Sequence, residues 1–444
     1  MSDDRRPKKQ TRVPTGRVER FARMSWMAGE FAVGGLTEGA KRLVGSLPAD
    51  PSSVFLSAKR ATKLASRLAE MRGAAMKLGQ LLSLEGDDLL PPEFVEALAV
   101  LRSTADTMPL TQLRRALGRA YGKGWEARFS EFDFEPLAAA SIGQVHAART
   151  TDGDDLALKI QYPGVARSID SDVNNLASVL KMTRILPVDL DIREIIAEAK
   201  RQLKQEADYE SEAGHLVRYR ELVQDEPLVR VPRHHPDFST RHVLAMDWMP
   251  GRPIEDLRSP EYPQSLRDEI GTMLQRLMFR ELFEFRFMQT DPNFANYLFD
   301  PEAGALVLLD FGSAREFRAE FVENFRRIVR AMMAEDRDGI REAAIAIGYL
   351  SGREPPARQD AVADLIAMVG EPLRYDGIYD FDGSQLTTRV REAGFDLVFR
   401  EGFNRAPPPE TIFLHRKLGG TFLLCARIKA RVDTASLIKP FVIA

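Results

Sequence analysis

Hydrophobic and polar positions repeat with two different periods along this chain. Within 52–101 the apolar residues Leu64, Leu68, Met71, Ala75, Leu78 and Leu82 recur at steps of four, three, four, three and four. That spacing puts them on one face of a helix. Pro91-Pro92 ends the run. Over 128–162 the period changes. FSEFDF and the stretch 137–148 read as strands, Thr151-Asp152-Gly153-Asp154 as a hairpin turn, and LALKIQY as the returning strand. Residues 165–186 and 190–223 return to the helical pattern. Two short strands follow around 229–231 and 242–248, and Pro250-Gly251 breaks the chain where a hinge between two lobes would fall. From 260 onward the pattern is mainly helical, interrupted by one β unit, NYLFD-PEAG-ALVLLD.

A chain of 444 residues corresponds to about three domains of ~150 residues each. It can bury a large core without disulfides or metals. Its single cysteine, Cys425, excludes an internal disulfide framework and a cysteine-based zinc cluster. The net charge of −3 argues against a general nucleic-acid binder, so no nucleic acid is expected as a partner. Charge is nevertheless uneven. Residues 1–20 carry seven Lys/Arg against three acids, a local net charge of +4, and Phe21, Met24, Trp26, Met27, Phe31 and Val33 follow. The tail reads either as a solvated, flexible arm or as a basic arm at an anionic membrane surface. The apolar segment reads either as a helix packed on the protein or as one lying on a membrane. No run of 18 uncharged apolar residues and no secretory signal pattern are seen, so neither a spanning helix nor export is expected.

The most specific constellation lies at 291–312. Asp291 and Asn296 stand five apart in TDPNFAN, then comes a hairpin, then Asp310-Phe311-Gly312. This is the spacing of a kinase catalytic loop followed by its metal-binding triplet. Phosphoryl transfer needs a carboxylate at the attacking oxygen and oxygen ligands for Mg²⁺. Asp291 supplies the first. Asn296 and Asp310 supply the others from adjacent strand ends, because the hairpin makes neighbours of residues 14 apart in sequence. After Gly312 the chain runs almost directly into the helical pattern REFRAEFVENFRRIVRAMM, leaving no long activation segment on which a protein substrate could dock.

Three further segments carry candidate chemistry. Lys159 sits in LALKIQ, where a buried ammonium is costly unless its charge is paired. A kinase uses such a strand lysine on the α/β-phosphates and pairs it with a helix glutamate. The first strand of the hairpin carries Ala138, Ala139, Ala140, Ser141, Gly143 and Gln144, where a phosphate-binding Gly-rich loop would lie. Alanines stiffen that turn. The acids Glu206, Asp208, Glu210 and Glu212 follow each other on a helical pattern, with 206/210 and 208/212 sharing faces and repelling. They form either a solvated face or a face neutralised by a buried cation, Lys159 or Lys77. Gly73, Lys77 and Gln80 fall on the helix face opposite the leucine stripe, and Gly79 inside that helix signals close approach of another element.

Together these motifs resemble the aarF/UbiB family of atypical kinase-like proteins. KLGQ at 77–80 is similar to the family's K-x-G-Q, AAASIGQVH at 138–146 to its Ala-rich loop, and Glu206-Ala207-Asp208 to its E-x-D motif. IQYPGVARSIDSDVNNL and FMQTDPNFANYLFD look like the branch that includes the mitochondrial coenzyme Q biosynthesis ATPase. The resemblance runs from about residue 17 to the C-terminus. Gln289 and Asn293-Phe294-Ala295 stand where much of the wider family has a histidine and His-Pro-Gly, which argues against a catalytic histidine here. Gly214-His215 also departs from the asparagine expected at the end of the acidic motif.

The resemblance implies an α+β, bilobal protein-kinase-like fold with an N-terminal helical extension carrying K-x-G-Q. The corresponding divisions are a basic tail at 1–20, the extension at 21–115, an N-lobe at 116–250 and a helical C-lobe at 251–444. It implies ATP or ADP with Mg²⁺ bound between two lobes, and ATPase activity supporting ubiquinone biosynthesis at a membrane. Lys159 would contact the α/β-phosphates with Glu212 as its partner, the Ala-rich loop residues would line the nucleotide, and Asp291 would be the catalytic-loop aspartate. Asn296 and Asp310 would bind Mg²⁺. Glu206 and Asp208 would meet Lys77, so that the K-x-G-Q helix with Gln80 covers the site as a regulatory element. Expected partners are an adenine nucleotide, an anionic membrane surface with quinone-precursor lipids, and other ubiquinone-biosynthesis proteins or a second copy. The expected location is cytoplasmic, peripheral to the inner membrane. The alternatives are a phosphotransferase for a small molecule or protein, and a nucleotide-binding lipid-handling scaffold.

Overall fold

A computed structural model describes residues 107–182, 193–399 and 408–442. The basic tail, the apolar segment after it, the helix expected over the leucine stripe and the K-x-G-Q residues Lys77 and Gln80 lie outside the described residues. The chain divides into two compact units. Among the described residues, one holds those from 107 to 213 with His234–Trp248; the other holds Gly214–Arg233 with those from 249 on.

The first unit is a sheet flanked by helices. Its elements are α1 (Leu110–Tyr121), β1 (Phe129–Phe132), β2 (Ala138–Ala139), β3 (Gly143–Thr150), β4 (Asp155–Gln161), α2 (Val165–Met182), α3 (Arg193–Glu206) and the start of α4 (Tyr209–Leu222). The strands run β1-β3-β4, with β2 paired to β3 and the later strand Val243–Asp247 paired to β4, all antiparallel. The expected hairpin forms: β3 and β4 pair from Gly143↔Gln161 to Arg149↔Asp155 around the Thr151–Asp154 turn. Side chains alternate faces along a strand. Leu156, Leu158 and Ile160 of β4 are buried on one face, leaving Ala157, Lys159 and Gln161 on the other.

Two sequence expectations need correction in this unit. The Ala-rich segment is not one continuous strand. Ala138–Ala139 forms its own short strand, and Ala140 to Gly143 is a tight turn closed by the Ala140 N–H on the Gly143 carbonyl at 2.9 Å. The pattern over 190–223 is not one helix either. It breaks between α3 and α4 at Ala207-Asp208. Asp208 Oδ1 accepts the Ser211 N–H at 3.0 Å, three residues on, which is how a short acidic side chain starts a new helix. Glu206 and Glu210 therefore sit on different helices and do not share a face.

The second unit carries β5 (Val229–Arg230), then, after β6 (Val243–Asp247) of the first unit, β7 (Arg252–Pro253), α5 (Gln264–Phe279), β8 (Phe287–Gln289), β9 (Tyr297–Asp300), β10 (Ala305–Leu308) and β11 (Ala314–Glu316). The helices α6 (Ala319–Met333), α7 (Arg337–Ile347), α8 (Pro356–Val369) and α9 (Glu371–Arg374) follow. The last elements are β12 (Tyr379–Asp380), α10 (Leu386–Phe399), α11 (Pro409–Arg427), β13 (Arg431–Val432) and α12 (Thr434–Val442). β9 and β10 form the expected hairpin, extended by β5 and β7 into a sheet ordered β5-β10-β9-β7. β8 and β11 pair antiparallel. The chain enters α6 shortly after Gly312, as expected, but Arg315 and Glu316 belong to the short strand β11 and not to the helix. α5 ends in a π-helical turn, Arg280–Glu284, a local widening that often accompanies functional sites.

Candidate functional site

In the first unit the chemistry converges on Lys159. Its Nζ lies 2.7 and 2.9 Å from the two carboxylate oxygens of Glu212. Both groups are buried, at 7% and 2% exposure. Of the four clustered acids, the structure pairs Glu212 with the strand lysine, and the helix break explains the choice. Gln161, two residues beyond Lys159 and on the same face of β4, donates from Nε2 to the Ala207 carbonyl at 3.0 Å, pinning the α3–α4 corner. Glu212 then comes one turn into α4, over the strand. The Tyr209 ring, first in that helix, lies 5.4 Å from Lys159 Nζ. Glu206 and Asp208 stand at the corner itself, and the Lys77 expected to meet them lies outside the described residues.

The Ala-rich turn sits beside this cluster, and Gly143 is the position where size matters. A Cβ there would fall 2.5 Å from the Ile160 carbonyl oxygen and 2.8 Å from the Tyr209 hydroxyl. Ala138, Ala139, Ala140 and Ser141 remain at least partly exposed. Gln144 is different. It is opposite Ile160, hence on the face away from Lys159. Its amide oxygen accepts the Met108 N–H at 2.7 Å, and its Nε2 donates to His146 Nε2 at 2.6 Å. His146 Nδ1 in turn donates to the Asp133 carbonyl at 2.8 Å. Burial holds the His146 imidazole below the ordinary histidine value, which favours the neutral ring this relay needs. Sequence reading grouped Gln144 with the phosphate loop; the strand's two-residue period separates them.

In the second unit two antiparallel pairs bracket the candidate catalytic residues. β8 leads into the loop 290–296 and β9 leaves it; β10 leads into 309–313 and β11 leaves it. Leu309 N–H donates to the Asn296 carbonyl at 3.1 Å, and the Thr290 hydroxyl to the Ser313 carbonyl at 2.6 Å. The hairpin register, Leu308↔Tyr297, makes Asn296 and Asp310 neighbours across adjacent strand ends. Asn296 Nδ2 approaches the Asp291 carbonyl at 3.3 Å and its Oδ2 at 3.4 Å. Asp310 Oδ1 accepts the Gly312 N–H at 2.9 Å, which orients the carboxylate. Phe311 is buried against Tyr219, with ring centroids 4.8 Å apart. His215, whose departure from the expected asparagine had no assigned effect, donates from Nδ1 to the Phe311 carbonyl at 3.1 Å.

Some residues at this site escaped the sequence reading. Arg416 on α11 pairs with Asp291 Oδ1. Its neighbour Lys417 is buried, 2.8 Å from Glu281. Burial pushes the Lys417 ammonium down, but the Glu281 carboxylate more than offsets this and holds it above the ordinary lysine value. Glu281, on the π-helical turn, accepts from the Tyr219 hydroxyl at 2.8 Å and the Gln289 N–H at 3.0 Å. Gln289, which stands in the family's histidine place, donates from Nε2 to the Asp291 carbonyl at 2.7 Å and accepts from the Tyr297 hydroxyl at 3.1 Å. No local pattern announces a cation 125 residues beyond its carboxylate.

Asn296 and Asp310 offer hard oxygen donors at adjacent strand ends, a donor set that suits Mg²⁺ arriving with phosphate oxygens. Among the described residues no three His, Cys, Asp or Glu side chains gather into a metal-holding group. Two protein ligands plus nucleotide oxygens, rather than a dedicated all-protein cage, is the arrangement these residues fit.

This sheet-and-helix architecture, with a paired strand lysine in one unit and a loop aspartate before a hairpin and Asp-Phe-Gly in the other, defines a kinase-like protein. The family model for the ABC1 atypical kinase-like domain matches residues 100–344. Atypical kinase COQ8B, mitochondrial, of Rattus norvegicus is 38% identical over 439 residues, 98% of this chain and 82% of the relative. Atypical kinase COQ8, mitochondrial, of Saccharomyces cerevisiae is 36% identical over 433 residues, 97% of this chain and 86% of the relative. A solved structure described as the complex of Rv3197 with erythromycin, from Mycobacterium tuberculosis, matches with a TM-score of 0.61 at 25% identity. It covers 86% of this chain and 96% of that one. The chain belongs to the ABC1/AarF atypical kinase-like family and is an enzyme of the atypical-kinase, phosphoryl-transfer class.

Proposed function

We propose that the chain binds Mg-ATP or Mg-ADP, hydrolyses ATP, and in doing so supports ubiquinone biosynthesis at a membrane. The observation that carries the nucleotide reading is the buried Lys159–Glu212 pair. An ammonium held there by a carboxylate costs desolvation and gives little net stability. A pair so costly makes sense if a polyanion shares the lysine. Lys159 contacts the α/β-phosphates, the turn from Ala138 to Gly143 lies along them, and Asn296 and Asp310 hold Mg²⁺, which neutralises phosphate charge when bound. In hydrolysis a water oxygen bonds to the γ-phosphorus while the bond to the bridging oxygen breaks. ADP leaves with the electron pair, and Asp291 receives the water's proton. Similarity over nearly the whole chain to relatives named COQ8 supports the ubiquinone role. The +4 tail and the apolar residues after it support a peripheral membrane site near quinone-precursor lipids. Lys77, whose charge is matched to that of Glu206 and Asp208, would act as a gate in this reading.

Purified protein tests this directly. Mg-ATP at 100-fold excess over its dissociation constant should stabilise the fold by about 2.7 kcal/mol, an easily read thermal shift. Asp310→Asn should abolish phosphate release while the protein stays folded, since it removes a charged oxygen from a hard-cation site. Lys159→Ala should weaken the nucleotide shift. Absence of any shift at millimolar Mg-ATP in folded wild-type protein, or full turnover by Asp310→Asn, would sink the reading.

A further inference from the structure

We propose that the helix α11, which lies beyond the family-matched residues 100–344, belongs to the catalytic centre, and that Arg416 is a positioning residue for Asp291. The inference rests on the assignment of Asp291 above. Three contacts from one helix carry it. Arg416 Nη2 donates to Asp291 Oδ1. The next residue, Lys417, is buried on Glu281, which also receives the N–H of Gln289 two residues before Asp291. One turn on, a Cβ at Gly420 would lie 2.1 and 2.2 Å from the Cγ and Cβ of Pro292, so only glycine lets the helix rest on the residue after Asp291.

These contacts divide the work. Lys417 and Gly420 fasten the helix to the strand and loop on either side of Asp291, and a fully buried pair is enough for that. Arg416 reaches the reacting carboxylate itself. The side chains of Arg416 and Asp291 are 16% and 19% exposed, so the pair is not averaged away by solvent. A guanidinium is planar and has fixed donor directions. By engaging Oδ1, with Asn296 near Oδ2, it sets the carboxylate's rotation and leaves Oδ2 to orient the nucleophile. A structural fastening alone has no need to end on that oxygen.

The experiment measures phosphate release and nucleotide binding by the full chain in Arg416→Gln, Arg416→Lys, Gly420→Ala, Asp291→Asn and the Asp291→Asn/Arg416→Gln double variant. Arg416→Gln should lower kcat by about tenfold to a hundredfold, the size expected from misplacing a reacting group. KM for ATP, the Mg-ATP thermal shift and Tm should stay near wild type. Arg416→Lys should recover part of kcat, and Gly420→Ala should lower kcat by lifting the helix from Pro292. In the Asp291→Asn background, removing Arg416 should change nothing further. Wild-type kcat in Arg416→Gln, equal losses of kcat, nucleotide affinity and Tm, or additive losses in the double variant would each overturn the positioning role. Full turnover by Asp291→Asn alone would instead overturn the Asp291 assignment beneath it.

Discussion

Lys159 illustrates how one residue reports on both stability and chemistry. Its ammonium and the Glu212 carboxylate are held 2.7 Å apart with almost no solvent. Breaking such a pair strands one charge, whereas replacing both partners by apolar groups is often neutral. Glu212→Gln and Lys159→Met should therefore each destabilise by about 3–5 kcal/mol. Lys159→Met combined with Glu212→Leu should recover most of that stability while nucleotide binding stays lost. Urea denaturation of the four proteins, read beside Mg-ATP thermal shifts, is the measurement. Single variants as stable as wild type would mean that the pair is not closed in solution. A double variant that still bound nucleotide would remove Lys159 from the phosphate site.

At the scale of elements, the first unit depends on how closely α4 approaches the β2–β3 turn. Gly143 is the contact point, with the Ile160 carbonyl and the Tyr209 hydroxyl where a side chain would go. Gly143→Ala must push either the strand or the first turn of α4, the turn that delivers Glu212. Overpacking of this kind costs about 1–3 kcal/mol. Gly118 is the matched control. It sits inside α1 with nothing within 4 Å of an added Cβ, so Gly118→Ala should stabilise by about 0.5–1 kcal/mol through helix propensity and unfolded-state entropy. Opposite signs in thermal denaturation, with weaker nucleotide binding only in Gly143→Ala, are the expected outcome; equal effects would deny the close approach. The same scale explains the split acidic helix. Asp208 reads as one more helical acid in a string, yet its short side chain caps a new start.

For the whole molecule, the proposed membrane association rests on the sequence. No helix among the described residues is long and apolar enough to cross a bilayer. The charge asymmetry of +4 over residues 1–20 against −3 for the whole chain remains, followed by the apolar residues from Phe21 to Val33. Juxtaposed basic and apolar segments bind anionic surfaces with about 1 kcal/mol per basic residue near the surface, and salt screens that part. Flotation with cardiolipin-containing vesicles should recover the protein at low salt and less of it at high salt. Deleting residues 1–34 should release it; undiminished flotation after the deletion would move the membrane site elsewhere in the chain.

Local spacing was enough for what depends on neighbours in sequence. The β3–β4 hairpin follows from its turn residues, and Lys159 follows from an apolar strand that could not bury a bare charge. Asn296 and Asp310 were legible as a pair because a hairpin of known register carries each at a strand end. Partner choice across long separations was not legible. By spacing alone four acids compete for Lys159; the family resemblance named Glu212, and the corner pinned by Gln161 and capped by Asp208 shows physically why that acid is the one paired. Gln144 and Gly143 are adjacent in one motif, yet the strand's alternation sends one to Met108 and His146 and sets the other against Tyr209. Arg416 lies 125 residues from Asp291 in a helix with no motif around it. Periodicity and turn chemistry act over a few residues and are written in order along the chain; which distant side chains meet depends on the packing of whole helices and strands, and only the folded structure decides that.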